Sequence, residues 1–228
     1  MFVQFAYGLL YLWLGFMRLI GWFRWSVEGT ERLPPREASG MIIAMNHVHW
    51  IDIPIIGAML PFRYRLSWMG KAELFENPAA GLLLRAMDVV PIKRGQRDLA
   101  ALDSVVAALR AGKVLLIFPE GTRGRTGILR AGRGGTVRIA MQAQVPIVPV
   151  ALTGTELGFW GTIKRRPVHV TIGEPYRIEV PVGTKIPADQ MARLTDDLMG
   201  RIAILLPEER RGIHAPKLAE GAPLGERE

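Results

Sequence analysis

The chain has 228 residues, of which 49% are hydrophobic, a formal net charge of +8 and no cysteine. This length and composition are sufficient for one domain with its own core. The absence of cysteine excludes a disulfide framework, a thiol nucleophile and a zinc site with cysteine ligands. The positive charge indicates an anionic partner, without choosing among nucleic acid, phospholipid and a phosphorylated metabolite.

The first 25 residues form an aromatic, apolar segment that carries no charge from Met1 to Met17. As a helix this segment reaches about 35 Å, which is enough to cross the hydrocarbon core of a bilayer. It has neither the basic leader region nor the cleavage site of a secretory signal. A helix of the soluble core is the alternative, but the many aromatic rings and the basic Arg18 and Arg24 favour a membrane-associated helix over residues 1–25. It would span the bilayer or lie flat on it, with the rest of the chain on the cytoplasmic side.

Strand and helix patterns alternate over residues 26–206, which predicts one α/β domain with a mixed, largely parallel sheet flanked by helices. The predicted strands cover residues 41–45, 65–69, 89–92, 114–118, 146–152 and 168–172. The predicted helices cover residues 53–60, 78–87, 98–110, 135–143 and 188–205. Residues 207–228 are polar and rich in Glu, Arg, Gly and Pro, a composition that predicts a disordered tail.

The sequence Asn-His-Val-His-Trp-Ile-Asp at residues 46–52 directly follows the first of these strands. Five residues on a regular helix place side chains about 140° apart, so His47 and Asp52 meet only if His47 stands in the turn and Asp52 begins the next helix. The Asp-Ile-Pro sequence at this point is typical of a helix start. Asp52 would then fix the tautomer of His47 and leave its other ring nitrogen as a general base. A turn histidine beside a helix-capping aspartate is the alternative.

His49 allows a second interpretation, because His47, His49 and Asp52 are of the residue types that bind zinc or manganese. The only other histidines are His169 and His214, and His214 lies in the predicted tail. The sequence therefore does not favour a metal site, and His49 is interpreted as a packing or positioning residue.

The sequence Phe-Pro-Glu-Gly-Thr-Arg at residues 118–123 follows a second buried strand. It opens a glycine-rich stretch, up to residue 138, that contains five arginines and no acidic residue after Glu120. Glycine lets the backbone approach an anion, and guanidinium groups bind phosphate through paired hydrogen bonds. This pattern predicts an anion clamp, in which Glu120 pairs with an arginine or accepts a hydrogen bond from a substrate hydroxyl. A solvated basic loop is the alternative.

The candidate groups His47, Arg94 and Glu120 each follow a predicted strand. If those strands are parallel, the three groups converge on one edge of the sheet, where α/β folds bind their ligands. The chain contains no Gly-x-Ser-x-Gly elbow and no glycine-rich nucleotide-binding motif. Without a protein nucleophile, a histidine base would most simply activate a hydroxyl group of the substrate.

These two blocks, Asn-His-x₄-Asp at residues 46–52 and Phe-Pro-Glu-Gly-Thr-Arg at residues 118–123, resemble signature blocks of the membrane-associated glycerolipid acyltransferases. Within that family the resemblance is to the bacterial lysophosphatidate acyltransferases. Residues 91–94 and 145–150 look like two further blocks, and the resemblance covers residues 26–155 in order and spacing. It implies the α/β fold of the glycerol-3-phosphate acyltransferases.

The resemblance implies acyl transfer from acyl-CoA or acyl carrier protein to the 2-hydroxyl of 1-acyl-glycerol-3-phosphate, which gives phosphatidate at the cytoplasmic membrane. It implies no cofactor, no metal and no nucleic-acid partner. His47 would be the general base, and Asp52 would orient it, with backbone donors near Gly121 as a candidate oxyanion site. The residues implied to bind the substrate phosphate are Lys71, Arg94, Glu120, Gly121, Thr122 and Arg123. Those implied to line the acyl or acceptor pocket are Val145, Pro146 and Pro149.

Two other functions remain open from the sequence. One is the same chemistry on another acceptor, such as a lyso-ornithine lipid or a different lysophospholipid. The other is a non-catalytic, basic protein that binds membranes, although such a protein needs neither a base nor a carboxylate to orient it. A metallohydrolase is a more distant third possibility, which loss of activity on chelation would reveal.

Overall fold

The structure is a computed structural model, and it describes residues 2–36, 40–86, 89–92, 99–181 and 183–215. Its strands are Trp25–Glu28 (β1), Met41–Met45 (β2), Leu66–Lys71 (β3), Val90–Ile92 (β4), Val114–Ile117 (β5), Ile147–Thr153 (β6) and Val168–Ile172 (β7). Its helices are Phe2–Leu19 (α1), Asp52–Met59 (α2), Pro78–Ala86 (α3), Leu99–Arg110 (α4), Gly135–Ala143 (α5), Gly158–Ile163 (α6) and Ala188–Ala203 (α7).

The strands form one sheet in the order β1-β7-β6-β2-β5-β3-β4. Strands β2 to β6 are parallel to one another, whereas β7 joins β6 antiparallel and β1 runs parallel to β7. The predicted α/β domain with a mixed, largely parallel sheet is therefore confirmed. Strands β2 and β5 are central neighbours, so the two sequence blocks that follow them emerge side by side. We call the edge at which β2 to β6 end the carboxyl edge.

Helices cover both faces of the sheet, and this explains why its central strands are apolar at every position. All five residues of β2 are 0% exposed. Met41, Ile43 and Met45 pack in the cluster beneath α1 and α2, whereas Ile42 and Ala44 pack against the cluster of α4, α5 and α7. A strand buried on both faces reads as a continuous hydrophobic run, and each large apolar side chain buried in it contributes about 1.5–3 kcal/mol.

Helix α1 packs against α2 and α3. A Cβ atom on Gly57 of α2 would lie 2.0 Å from the Tyr11 hydroxyl, so the small residue permits the close approach of the two helices. Leu14 is buried at this contact, whereas Leu12 is 71% and Leu19 is 83% exposed. Within the described residues, no helix combines the length and the hydropathy that a membrane crossing requires, so the spanning form of the predicted N-terminal helix is not supported.

The start of the predicted disordered tail is wrong by nine residues. Residues 207–215 fold back as two short 3₁₀ helices, Glu208–Arg210 and Gly212–His214. The physical reason is a set of long-range contacts: Arg210 pairs with Glu156 at 2.7 Å, and His214 is 1% exposed. Polar residues that find partners elsewhere in the fold do not behave as a solvated tail. Residues 216–228 lie outside the described residues.

Candidate active site

The loop after β2 brings His47 and Asp52 into direct contact. Asp52 is the first residue of α2 and is fully buried. Its Oδ2 accepts a hydrogen bond from Nδ1 of the His47 ring at 2.9 Å and from the backbone amides of Val48 and His49, each at 2.8 Å. An ionised carboxylate only accepts hydrogen bonds, so Nδ1 carries the proton and Nε2 is the basic nitrogen. The contact that the sequence predicts is present.

The neighbouring residues fix where this loop begins and how the imidazole ring lies. The Asn46 side chain donates to the carbonyl of Leu152 and accepts from its amide, both at 2.8 Å, which continues the pairing of β2 with β6. The His47 ring stacks on Phe118, with ring centroids 3.7 Å apart and planes inclined by 14°. The His47 side chain is 13% exposed. The ring is therefore held in one plane while part of it still faces solvent.

Glu120 ties the loop after β2 to the loop after β5. It is 4% exposed, and its two carboxylate oxygens accept hydrogen bonds from the backbone amides of His47 at 2.8 Å and Arg130 at 3.2 Å. Burial raises the pKa of the Glu120 carboxyl, and these two hydrogen bonds and the charge of Arg130 oppose the rise. Because each of its oxygens accepts from a backbone amide of a different loop, Glu120 positions the two loops. Its predicted contact with substrate stays a prediction.

Glycine allows the second loop to turn tightly at Gly121, which has φ +73°. Its amide donates to the Phe118 carbonyl at 3.0 Å and is used within the loop, and the predicted oxyanion site formed by backbone donors near Gly121 stays a prediction. A Cβ atom on Gly121 would lie 3.0 Å from the Arg133 side chain. The exposed Thr122 accepts a hydrogen bond from the Arg130 guanidinium at 3.0 Å. Gly121 and Thr122 therefore shape, by their own contacts, the loop of residues 121–133, which we call the arginine loop.

A cleft of about 520 Å³ opens at the carboxyl edge, beside this pair of loops. It is lined by Val48, His49, Arg123, Arg125, Glu156 and Leu157. The exposed Arg123 stands where the sequence predicts an anion-binding group. Arg125 belongs to the same arginine stretch, and the sequence pattern does not distinguish it from the other four arginines. Glu156 and Leu157 have no local signal in the sequence, because the parallel pairing of β6 with β2 brings them to the cleft.

The acidic residue of this cleft is neutralised from the C-terminal part of the chain. The Arg210 guanidinium lies 2.7 Å from the Glu156 carboxylate, and the same nitrogen donates to the Thr126 carbonyl at 3.1 Å. The Arg210 carbonyl also accepts from the Leu129 amide at 2.8 Å. Arg210 therefore holds the arginine loop and neutralises the charge of Glu156. The sequence does not predict this role, because Arg210 lies in the predicted tail.

The structure does not bring the predicted acyl-pocket residues to this cleft. Val145 and Pro146 precede β6, which runs parallel to β2, so they lie at the sheet edge opposite His47. Both are buried in the core. Pro149 is buried in the middle of β6, where its carbonyl accepts from the Gly173 amide at 2.8 Å. The order of the sequence blocks along the chain did not reveal at which edge each block lies.

The structure gives little information on two predicted phosphate-binding residues, Lys71 and Arg94. Lys71 is the last residue of β3 and thus reaches the carboxyl edge. Arg94 lies outside the described residues. Neither placement tests the predicted role of these cations, which therefore stays a prediction.

His49 has the packing environment that the sequence suggests. A Cβ atom on Gly158 would lie 2.6 Å from the His49 ring, so the imidazole packs directly over that glycine. Within the part of the chain that the structure describes, no three His, Asp or Glu side chains are grouped to hold a metal ion.

Comparison with known proteins adds to this geometry. A family model described as Acyltransferase matches residues 24–153. The chain is 30% identical over 177 residues to the 1-acyl-sn-glycerol-3-phosphate acyltransferase of Bacillus subtilis (strain 168), covering 77% of this chain and 85% of that protein. It is 38% identical over 114 residues to the lyso-ornithine lipid O-acyltransferase of Pseudomonas aeruginosa, covering 50% of this chain and 43% of that protein.

A solved structure is similar over most of the chain. The crystal structure of the 1-acyl-sn-glycerophosphate acyltransferase PlsC from Thermotoga maritima superimposes with a TM-score of 0.58 at 26% sequence identity. The match covers 77% of this chain and 69% of that one. Fold and sequence therefore agree on the same group of proteins.

Proposed function

The chain belongs to the acyltransferase family, and on this premise we propose that it transfers an acyl group to the 2-hydroxyl of 1-acyl-sn-glycerol-3-phosphate, giving phosphatidate. The donor is a thioester, either acyl-CoA or acyl carrier protein. The observation that carries the proposal is the contact of His47 with the buried Asp52 beside an arginine-lined cleft. A base next to an anion site fits an acceptor that has both a hydroxyl and a phosphate.

In the proposed reaction, Nε2 of His47 takes the proton of the acceptor hydroxyl as its oxygen attacks the thioester carbonyl carbon. Asp52 stabilises the resulting imidazolium through Nδ1. When the tetrahedral intermediate collapses, the carbon–sulfur bond breaks, and the thiolate takes the proton from Nε2. The products are an ester and a free thiol, and His47 returns to its neutral form. A positioned base of this kind typically contributes about 10²- to 10⁴-fold to the rate.

The acceptor phosphate is bound by the arginines of the cleft. Arg123 and Arg125 are exposed and line it together, and guanidinium groups bind phosphate through paired hydrogen bonds. Thr122 shapes their loop, and Lys71 and Arg94 are proposed to extend the cationic surface from the neighbouring strands. The ion pair of Glu156 with Arg210 keeps the cleft from repelling an anion.

Helix α1 is proposed to lie flat on the cytoplasmic membrane. Phe16 is 53%, Leu12 71% and Leu19 83% exposed on the side that does not pack against the domain. Strand β1 begins at the carboxyl edge, because Trp25 pairs with Val168 at the start of β7. The end of α1 thus lies at the edge that holds His47, which suits an acceptor and a product that are both amphiphiles.

A second acceptor, a lyso-ornithine lipid, is favoured by the 38% identity to an enzyme named for it. An ornithine headgroup offers a carboxylate and an ammonium group. The cleft arginines fit the carboxylate, but Glu156 is already paired with Arg210 and would have to leave it to bind the ammonium. The charges of the cleft therefore fit a phosphate better.

An acceptor panel tests the proposal. Purified protein in detergent is given oleoyl-CoA with lysophosphatidate, lyso-ornithine lipid or lysophosphatidylcholine, and the acylated product is identified by mass spectrometry. We expect phosphatidate to form with the highest kcat/KM. Higher kcat/KM with the ornithine lipid would transfer the assignment to the second acceptor. Folded protein that acylates no lysolipid from oleoyl-CoA or from acyl carrier protein would contradict acyl transfer itself.

A further inference from the structure

Helix α6 has the reverse of the burial pattern that is typical of a surface helix. The residues that it buries are Gly158, Gly161 and Thr162. Its large side chains face solvent, with Phe159 53% and Trp160 69% exposed. An amphipathic surface helix normally buries its large apolar residues and exposes its small or polar ones. Exposed apolar residues grouped in this way mark an interaction surface.

The chain directly after α6 is basic. Lys164, Arg165 and Arg166 are all exposed, and no acidic residue occurs from Leu157 to Pro167. Lys164 and Arg166 form no ion pair with any other described residue. Two exposed aromatic rings next to unpaired cations complement a partner that has an apolar interior and an anionic surface layer.

Arg165 has a different role from its two neighbours, because it joins α6 to the end of α1. Its guanidinium donates to the Gly21 carbonyl at 2.7 Å and to the Trp22 carbonyl at 3.2 Å, and it lies 5.7 Å from the centroid of the Trp22 ring. Trp22 is itself 50% exposed. The exposed apolar surface of α6 is therefore continuous with that of α1.

Helix α6 also adjoins the candidate active site. It connects the end of β6 to the start of β7, and both lie at the carboxyl edge. Leu157, which precedes α6, lines the cleft, and Gly158 lies under the His49 ring. Whatever α6 binds is thus brought to the mouth of the cleft.

We propose that α6 and residues 164–166 form a second membrane contact, which docks on an anionic bilayer and holds the cleft at its surface. In helices that lie in a membrane interface, tryptophan and phenylalanine enter the boundary between headgroups and acyl chains, and basic residues beside them bind anionic lipids. An acidic protein such as the carrier of the acyl donor would match the cations but not the exposed Phe159, Trp160 and Ile163. The bilayer matches both, and it is the surface on which α1 is proposed to lie.

Vesicle binding tests this proposal without relying on catalysis. The full chain is sedimented with vesicles of phosphatidylcholine alone or mixed with phosphatidylglycerol. Two variants are compared with the native chain: Phe159→Ala/Trp160→Ala and Lys164→Ala/Arg166→Ala. Their matched control is Phe62→Ala/Arg138→Ala, which removes an exposed aromatic ring and an exposed cation away from α6.

We expect the aromatic variant to bind both kinds of vesicle less tightly. The charge variant lacks two basic residues and should lose about thirtyfold in affinity for the anionic vesicles only. The control should bind like the native chain. Unchanged binding of both α6 variants would overturn the proposal. So would an equal loss of the charge variant on both kinds of vesicle.

Acyl-transfer assays give a second readout of the membrane contact. This readout rests on the proposed acyltransferase function, whereas vesicle binding does not. With lysophosphatidate in detergent micelles, both α6 variants should turn over like the native chain, whereas with the acceptor in vesicles their kcat/KM should fall. If the charge variant loses turnover only with carrier-protein donors while its vesicle binding is intact, α6 contacts a protein and the membrane proposal is wrong. If no variant and no native chain acylates anything, the proposed function fails, but the binding result still decides the role of α6.

Discussion

The two loops at the carboxyl edge are built in opposite ways. The loop of residues 46–52 is short. Its last residue, Asp52, accepts hydrogen bonds from the His47 ring and from two backbone amides of the same loop. The loop of residues 121–133 is long and rich in glycine, and it presents exposed arginines while contacts at Glu120 and Arg210 hold it in place. The first provides one fixed geometry for proton transfer, and the second provides adjustable cations for an anion. Changes in the first should therefore act on kcat, and changes in the second on KM.

The largest effect is expected from Asp52→Asn. Asparagine keeps the size of the side chain and one acceptor oxygen, but it does not balance an imidazolium or enforce the correct tautomer. We expect kcat to fall by about 10²- to 10⁴-fold with little change in KM. Steady-state kinetics with lysophosphatidate check this, with the exposed Asp189→Asn as control. A variant that changes KM alone would show that both loops serve binding, and the contrast between them would disappear.

The next effect is expected from Arg123→Ala. Loss of a charge-assisted hydrogen bond to phosphate should raise the KM for lysophosphatidate by about 10- to 100-fold and leave kcat close to native. Arg123→Lys should lie in between, because lysine keeps the charge but not the paired donors. The exposed Arg138→Ala, on α5, is the matched control. An equal rise in KM for this control would mean that only the overall charge of the protein matters.

A smaller effect is expected from Arg210→Ala, which leaves the Glu156 charge unbalanced in the cleft. We expect the KM for lysophosphatidate to rise about fivefold through repulsion of the phosphate. The double variant Arg210→Ala/Glu156→Gln should recover most of this loss, because it removes the repelling charge as well. If the double variant is no better than the single one, the Arg210 side chain acts only by holding the loop through the Thr126 carbonyl.

The smallest effect is expected from Glu120, and it concerns stability and pH. Burial raises the pKa of this carboxyl in the native protein above its value in the unfolded chain. Between the two values the native protein holds a proton that the unfolded chain releases, so the free energy of unfolding decreases as the pH rises through that interval. Glu120→Gln should lack this decrease. Urea unfolding at a series of pH values checks it against the exposed Glu208→Gln, and parallel profiles of native chain and Glu120→Gln would contradict it.

Local signals were enough to predict the centre of the molecule. Strands β2 and β5 are apolar at every position because both faces of the sheet are covered, and a polar block follows each strand directly. The contact between His47 and Asp52 spans only five residues, so a turn and a helix start were sufficient to predict it. A contact between residues that are close in the sequence can be predicted, because both residues belong to the same short segment.

The remaining features depend on contacts between distant parts of the chain. Strand β1 has only four residues and pairs with β7 at the end of the described strand order, so its sequence carries little periodic signal. Helix α6 is short and contains two glycines, a composition that does not favour a helix. Glu156 and Arg210 meet across 54 residues, and neither has a local pattern that indicates the other. The direction of β6 decides at which edge of the sheet Val145 and Pro146 lie. The sequence block of residues 145–150 does not by itself give that direction.

The most direct test of the account is a stoichiometric assay of the native chain beside His47→Ala and His169→Ala, a partly exposed histidine of β7. Thiol release from oleoyl-CoA and phosphatidate formation from lysophosphatidate are followed together. We expect one thiol for each phosphatidate in the native chain and in His169→Ala, and loss of both products in a folded His47→Ala. Phosphatidate formation by His47→Ala at the native rate would contradict His47 as the base.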